Sequence, residues 1–374
     1  MTQVLIVGVA TRGFAQSAVR AGYEVIAVDG FGDLDLRACA RAVVVARAGD
    51  RFSVRAALAA ARDLRRDAVC YVGSFENYPH AVAALAARGH LWGNAPAVLR
   101  RVRDPVRLAA GLAGQGLAGP AVRRRAPGAT NGRWLVKPRA SGGGSGVARW
   151  HGGGVPRGSY LQAHLPGVPG SIVFAADGRR AVPLGVSRAL AGDRRFGAAG
   201  YRYCGSILVP AGSRQLAHAS RLAAAVTELF GLVGVNGLDF MTADGTPQAI
   251  EVNPRYTASM ELVERAHGLS IFGIHARACA GELPDFDLAR ARLPDVLGKA
   301  VVYARREVTP EDTHHWLADR DLGDVPPSGE RIARGRPICT IFARGRTVAR
   351  CEAALARRAQ ALYRALEARR VRIA

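Results

Sequence analysis

Lysine is nearly missing from this 374-residue chain: Lys137 and Lys299 are its only two, although Lys and Arg together number 52 against 30 acidic residues, a formal charge of +22. The arginines are spread along the chain, without a basic tail or an aromatic-interleaved patch, so a nucleic-acid partner is not expected despite the charge. A positive field of this kind favours small anionic ligands by drawing them toward a cleft. Long hydrophobic runs are also lacking. No stretch of about 18 uncharged apolar residues occurs, and no membrane partner is expected. The six cysteines, Cys39, Cys70, Cys204, Cys279, Cys339 and Cys351, form no CxxC pair and no metal-ligand spacing, and read as buried, reduced thiols. Met1 leads straight into Gln3-Val4-Leu5-Ile6-Val7-Gly8, without the basic start and cleavage site of a secretory signal, which makes the cytoplasm the expected compartment. Two nucleotide signatures are absent as well. Gly8-Val9-Ala10-Thr11-Arg12-Gly13 departs from GxGxxG, which argues against NAD or FAD, and no P-loop GK[ST] is present.

What is present begins with alternation. Val4 to Val7, Val25 to Val28, Val43 to Ala46 and Ala68 to Val72 read as strands, with helices around Ala15 to Arg20 and Val54 to Leu64. That is the pattern of a parallel βαβ sheet, a Rossmann-like unit. Asp29 closes the second strand, where a dinucleotide fold places its ribose carboxylate. Ser74-Phe75-Glu76-Asn77 follows a strand end, where open α/β sheets bind ligands; Glu76 reads either as a ligand contact or as a helix-start carboxylate. Leu99 to Leu117 reads as a helical connector and Ala118 to Arg133 as linker and turns. From Trp134 the pattern becomes α+β. Beyond Leu293, strands near Ala300 to Tyr303 and Cys339 to Ala343 and a helix from about Glu352 to Glu367 suggest a small, mostly β C-terminal subdomain. The expected division is therefore 1–98, 99–285 and 286–374.

Two clusters carry chemistry. Trp134-Leu135-Val136-Lys137-Pro138 is followed by Ser141-Gly142-Gly143-Gly144-Ser145-Gly146, so a strand ending in a fixed ammonium runs into a loop whose backbone N–H groups can close over phosphates. Taken alone, that loop also reads as a hairpin turn. The second cluster is a hairpin: Val235 to Met241 on one strand, Asp244-Gly245 at the turn, and Gln248 to Arg255 returning. Glu251 and Asn253 are two apart and leave the same face, Asp239 is brought near by the pairing, and Arg255 follows. Two carboxylates and an amide oxygen are hard ligands suited to Mg2+ bridging nucleotide phosphates.

Lys-Pro before a glycine loop, with Asp and a hairpin ending Glu-x-Asn-Pro-Arg more than a hundred residues later, resembles the ATP-grasp superfamily. Gly73 to Asn77, Gly93-Asn94-Ala95-Pro96 and Tyr160-Leu161-Gln162-Ala163-His164-Leu165 extend the resemblance to its biotin carboxylase-like members. The resemblance implies a Rossmann-like pre-ATP-grasp domain and a two-subdomain ATP-grasp module. It implies that Lys137 holds the α- and β-phosphates and that Ser141, Gly142, Gly143, Gly144, Ser145 and Gly146 cover the triphosphate. Gln162, Ala163 and Leu165 would meet adenine, Asp239, Glu251 and Asn253 would bind Mg2+ (or Mn2+), and Arg255 would stabilise an acyl phosphate. Two positions depart from the family pattern. The usual connector Asp-Lys is replaced by Arg103-Asp104-Pro105, so that either Arg103 or Arg107 substitutes or the phosphates are held by fewer cations, and Gln162 stands where glutamate is frequent.

The implied activity is an ADP-forming carboxylate–amine ligase, with small and mainly anionic carboxylate and amine substrates and a homodimeric state common among relatives. Glutamate or another amino acid is the expected substrate, with Glu76, Arg188 and Arg202 as candidate contacts; the arginines read equally as a solvated basic loop. The C-terminal segment resembles that of carboligases tied to one-carbon cofactor biosynthesis. Alternatives are a non-catalytic nucleotide-binding protein and a carboxylase component acting on a separate carrier, since no Met-Lys-Met biotinyl site is present.

Overall fold

The computed structural model describes residues 1–117, 119–127, 133–210 and 212–371, so part of the expected 118–133 linker lies outside the described residues. The N-terminal sheet is parallel, in the order Ala42–Val45, Glu24–Asp29, Gln3–Val7, Ala68–Tyr71, His90–Leu91. Val4 to Val7 are wholly buried because helices cover both faces of this central strand, which therefore reads as a continuous apolar run. The fifth strand, two residues long, is too short to signal itself in the sequence. Asp29 is spent on local structure. One carboxylate oxygen accepts from Thr11 N and Thr11 Oγ1, and the other from Phe31 N and Gly32 N, which closes both turns at the sheet edge and leaves nothing for a ribose.

The connector is two helices, Pro96–Val102 and Pro105–Gly114, rather than one. Pro105 has no N–H to continue the first helix, and Asp104 caps the second by accepting from Val106 N at 3.0 Å. Arg103 sits at this break, where its side chain is free to leave the helix axis.

Four strands form an antiparallel sheet, ordered Ala148–Arg149, Trp134–Pro138, Ser159–Ala163, Val122–Arg123. The rest of the chain forms one eight-stranded antiparallel sheet. Its order is Thr246–Asn253, Val233–Ala243, Val168–Asp177, Ala181–Ala191, Tyr203–Leu208, Val296–Tyr303, Pro337–Gly345, Leu322–Gly323. The helix Ser213–Phe230 packs on one face, and Met260–His267 and Ile271–Cys279 cover the other.

The C-terminal strands therefore join the preceding sheet, with Gly205 opposite Ala300, instead of closing one of their own. Gly205 has φ +154°, and a Cβ there would lie 2.2 Å from Lys299 O, so the seam needs glycine. The helix Val348–Val371, expected from about Glu352 to Glu367, supplies the cover over this end.

Buried charge ties the three parts together. Glu261, on the helix Met260–His267, accepts from Arg12 of the first domain and, at 2.7 Å, from Lys299 of the C-terminal segment. Arg12 Nε also reaches Asp324 at 2.9 Å.

Candidate active site

A cleft of about 550 Å³ opens between the two antiparallel sheets. Lys137 reaches it from the strand Trp134–Pro138 and is buried there, its Nζ donating to Gln162 Oε1 at 3.1 Å and lying 4.0 Å from Glu251 Oε2. Gln162 Nε2 donates to Ile250 O at 3.1 Å, so this side chain positions the lysine and ties the small sheet to the metal-type hairpin. Its substitution for glutamate is thus felt first at Lys137.

The glycine loop is folded down against the neighbouring segment, with Tyr203 N donating to Gly143 O at 2.9 Å. Gly144, at φ +72°, passes so near that a Cβ would lie 1.8 Å from Tyr201 O. Ser141, Gly142, Gly143 and Gly144 line the cleft, whereas Ser145 and Gly146 are exposed and are not part of its lining. Ala163, His164 and Leu165 line it at the strand edge beyond Gln162.

The hairpin registers Asp239 opposite Glu251 and Gly237 opposite Asn253, with a bulge after Asp239. Asn253 Nδ2 donates to Asp239 Oδ2 at 2.9 Å, and Asn253 Oδ1 accepts from Arg255 Nη2 at 3.2 Å. Burial first, and then the charge of Glu251, push the Asp239 carboxyl up to about 6. For Glu251 burial pulls the same way, but Arg103 and then Lys137 outweigh it and hold the carboxyl below its ordinary range. Of the two arginines that could stand in for the connector lysine, Arg103 is the one that reaches the cleft. Its Nη1 bonds Glu251 Oε1 and, at 3.0 Å, Val252 O, while Nη2 donates to Asn77 Oδ1 at 2.8 Å. Arg107 is exposed and does not line the cleft.

Arg255 lines the cleft at its other end and is held from behind. Glu76, 1% exposed, accepts from Arg255 Nε at 2.9 Å and pairs with Nη2 at 2.8 Å. Glu76 is not among the residues lining the cleft; its carboxylate meets Arg255 behind it. The two candidate arginines also point elsewhere. Arg188 pairs with Glu352 at 3.1 Å, and Arg202 donates to Gly335 O at 2.7 Å over the Tyr303 ring. Sequence reasoning missed Ser171 and Ser206, which line the cleft; Ser171 stands opposite Asp239 in register, a long-range pairing that carries no local signal.

Among the described residues no group of three or more His, Cys, Asp or Glu side chains could hold a metal ion by itself. The cleft instead offers two facing carboxylates, Asp239 and Glu251, with the amide of Asn253 beside them. Among the described residues no helix is long and apolar enough to cross a membrane.

Residues 102–259 match the ATP-grasp domain family. An uncharacterized protein of Methanocaldococcus jannaschii is 26% identical over 121 residues, which are 32% of this chain and 28% of that protein. The L-amino acid ligase of Bacillus licheniformis superposes with a TM-score of 0.70 at 16% identity, over 96% of this chain and 97% of that one. N5-carboxyaminoimidazole synthetase of Staphylococcus aureus, complexed with ADP, gives 0.68 at 15% identity over 95% and 96%. The biotin carboxylase domain dimer of Hydrogenobacter thermophilus 2-oxoglutarate carboxylase, in complex with MgADP, ADP and bicarbonate, gives 0.68 at 13% identity over 92% and 86%. With a family match that spans the lysine strand, the glycine loop and the acidic hairpin, and with their convergence on one cleft, this chain is built around an ATP-grasp domain.

Proposed function

We propose that the protein is an Mg-ATP-dependent ligase that activates a carboxylate as an acyl phosphate and joins it to an amine. The observation that carries this reading is the meeting of Lys137, Arg103, Arg255, Asp239, Glu251 and Asn253 in one cleft beneath a glycine loop. Asp239, Glu251 and Asn253 fit a hard divalent ion. Glu251 opposes the ionisation of Asp239 and itself draws on Arg103 and Lys137 as counter-charges, so a cation between the carboxylates would relieve Asp239. When bound, Mg2+ neutralises phosphate oxygens; turning the Asn253 amide over would add its oxygen to the donor set.

In the first step a substrate carboxylate oxygen bonds to the γ-phosphorus of ATP as the bond from that phosphorus to the β,γ-bridging oxygen breaks, giving acyl phosphate and ADP. The amine nitrogen then bonds to the acyl carbon, inorganic phosphate leaves with the electron pair of its C–O bond, and the nitrogen releases a proton. Lys137 and Arg103 hold the phosphates, Arg255 faces the charge developing at transfer, and the glycine loop keeps water from the acyl phosphate. ADP release in Mg-ATP with paired carboxylates and amines tests this. Release is expected to require one pair and to fall by about 10²-fold or more in Lys137→Ala; release that ignores added carboxylate would sink the ligase reading.

A pH dependence follows from Asp239. Its folded carboxyl stands above the unfolded value of 3.8, so the ion-free protein binds the extra proton and loses stability as pH rises from about 4 through about 6. That cost is up to about 3 kcal/mol at pH 7. Asp239→Asn is expected to raise the melting temperature of the ion-free protein at pH 7 and to abolish the Mg2+-induced thermal shift, which in the wild type should shrink between pH 7.5 and pH 5. An Mg2+ shift that persists in Asp239→Asn would remove this carboxylate from the ion site.

A further inference from the structure

The cations along the cleft divide unevenly. Arg103 and Lys137 stand at Glu251 near the glycine loop, and Arg139 turns to Asp104 at 3.9 Å. Beyond Asp239 the floor of the large sheet carries Ser171, registered opposite Ser187, then Ala189, registered opposite Ser206. Ser187 Oγ is buried without a hydrogen-bond partner, and Tyr203 Oη shares a 2.9 Å hydrogen bond with Ser206 Oγ. The facing wall is Thr257, Ala258 and Ser259. Every one of these side chains is neutral. Arg255 is the cation that the cleft lining places here, and four of its five N–H groups are spoken for by Glu76 twice, Asn253 and the Tyr256 carbonyl.

The arginines that would supply a second positive charge are out of phase by one residue. Arg188 lies between Ser187 and Ala189, and strand alternation sends it through to the opposite face, where Glu352 holds it. Arg202 lies between Tyr201 and Tyr203, both in the cleft wall, and is turned to Gly335. A substrate with a second carboxylate would therefore bury that charge among hydroxyls and methyl groups without a partner, at a large desolvation cost.

Resting on the ligase reading above, we infer that the activated substrate is a monocarboxylate, a carboxylic acid with a single negative charge near the reacting carbon, and not a dicarboxylate such as glutamate. This narrows the amino-acid expectation to acids whose side chains carry no second anion, and it includes bicarbonate.

The test compares matched pairs that differ by one carboxylate: propionate with succinate, 2-aminobutyrate with glutamate, alanine with aspartate, and bicarbonate as a further monoanion. Positional isotope exchange in γ-18O-labelled ATP reads the carboxylate half-reaction without the amine, and ADP release reads the full reaction. At least one monocarboxylate is expected to exceed its dicarboxylate counterpart by about a hundredfold or more in kcat/KM. Ala189→Arg, which adds a cation to the sheet floor, is expected to narrow that gap. A dicarboxylate that matches or beats its partner in the wild type overturns the inference and leaves the ligase reading standing. Absence of exchange and release with every acid, while Mg-ATP still gives a thermal shift, overturns the ligase reading and the inference with it.

Discussion

Glu251→Gln is expected to lower kcat/KM for ADP release by about 10³-fold or more while leaving the fold intact. Shape is nearly conserved by the change, while the charge is removed and one accepting oxygen becomes a donating NH2. Two functions of that charge disappear together. Glu251 is one of only two carboxylates in the cleft lining, and it is the anchor that Arg103 bonds and Lys137 approaches. Without it, Arg103 and Lys137 lose a shared counter-charge, while Asp239 is relieved of the lesser of the two causes that raise its carboxyl, burial remaining. Melting temperature should therefore fall, but by less than in a variant that breaks a buried ion pair with no such relief. Turnover within tenfold of wild type would show that Glu251 holds neither the ion nor the cations in a productive arrangement.

The second large effect lies outside the cleft. Glu261→Gln is expected to destabilise the protein by about 3–5 kcal/mol, the typical result of removing one partner from a buried ion pair. For a chain of this size that corresponds to a melting temperature lower by about 5 °C. Burial opposes the Glu261 charge, but Arg12 and then Lys299 outweigh it and hold its carboxyl far below the ordinary range. Stability from Glu261 is thus fully present above its unfolded value of 4.5 and is lost only in strong acid. Removing the carboxylate strands Arg12, of the first domain, against Lys299, of the C-terminal strand Val296–Tyr303. Because Glu261 begins the helix that follows Ser259, the loss should also loosen the cleft wall, visible as a higher KM for the acceptor with a smaller change for ATP. A melting temperature within 1 °C of wild type, read by calorimetry, would mean that water reaches the cluster and screens it.

Local patterns carried much of the site into view. The lysine strand and glycine loop are contiguous in sequence, and the hairpin from Val233 to Asn253 closes through an Asp244-Gly245 turn, so its register follows from short-range pairing. The parallel sheet announced itself through apolar runs. Residues whose role the sequence left open share a different trait: their partners lie far along the chain. Glu76 meets Arg255 across 179 residues, Arg103 meets Glu251 across 148, and Arg202 meets Gly335 across 133. Arg188, read either as a substrate contact or as part of a solvated loop, pairs with Glu352, because its face depends on the phase of the strand Ala181–Ala191 against its neighbours, which one residue reverses.

The sequence by itself determined the chemical inventory: one lysine ahead of a phosphate-sized glycine loop, an acidic hairpin ending in Asn-Pro-Arg, and no second lysine in the connector. Those features are legible because residue type and spacing within a strand or turn dictate their own geometry. Tertiary structure alone decided which arginines face the cleft, that Glu76 orients Arg255, that Gln162 serves Lys137, and that the C-terminal strands complete the large sheet. Each of those outcomes rests on contacts between segments far apart in the chain, where burial and charge pairing across the whole fold, and not local propensity, select the partner.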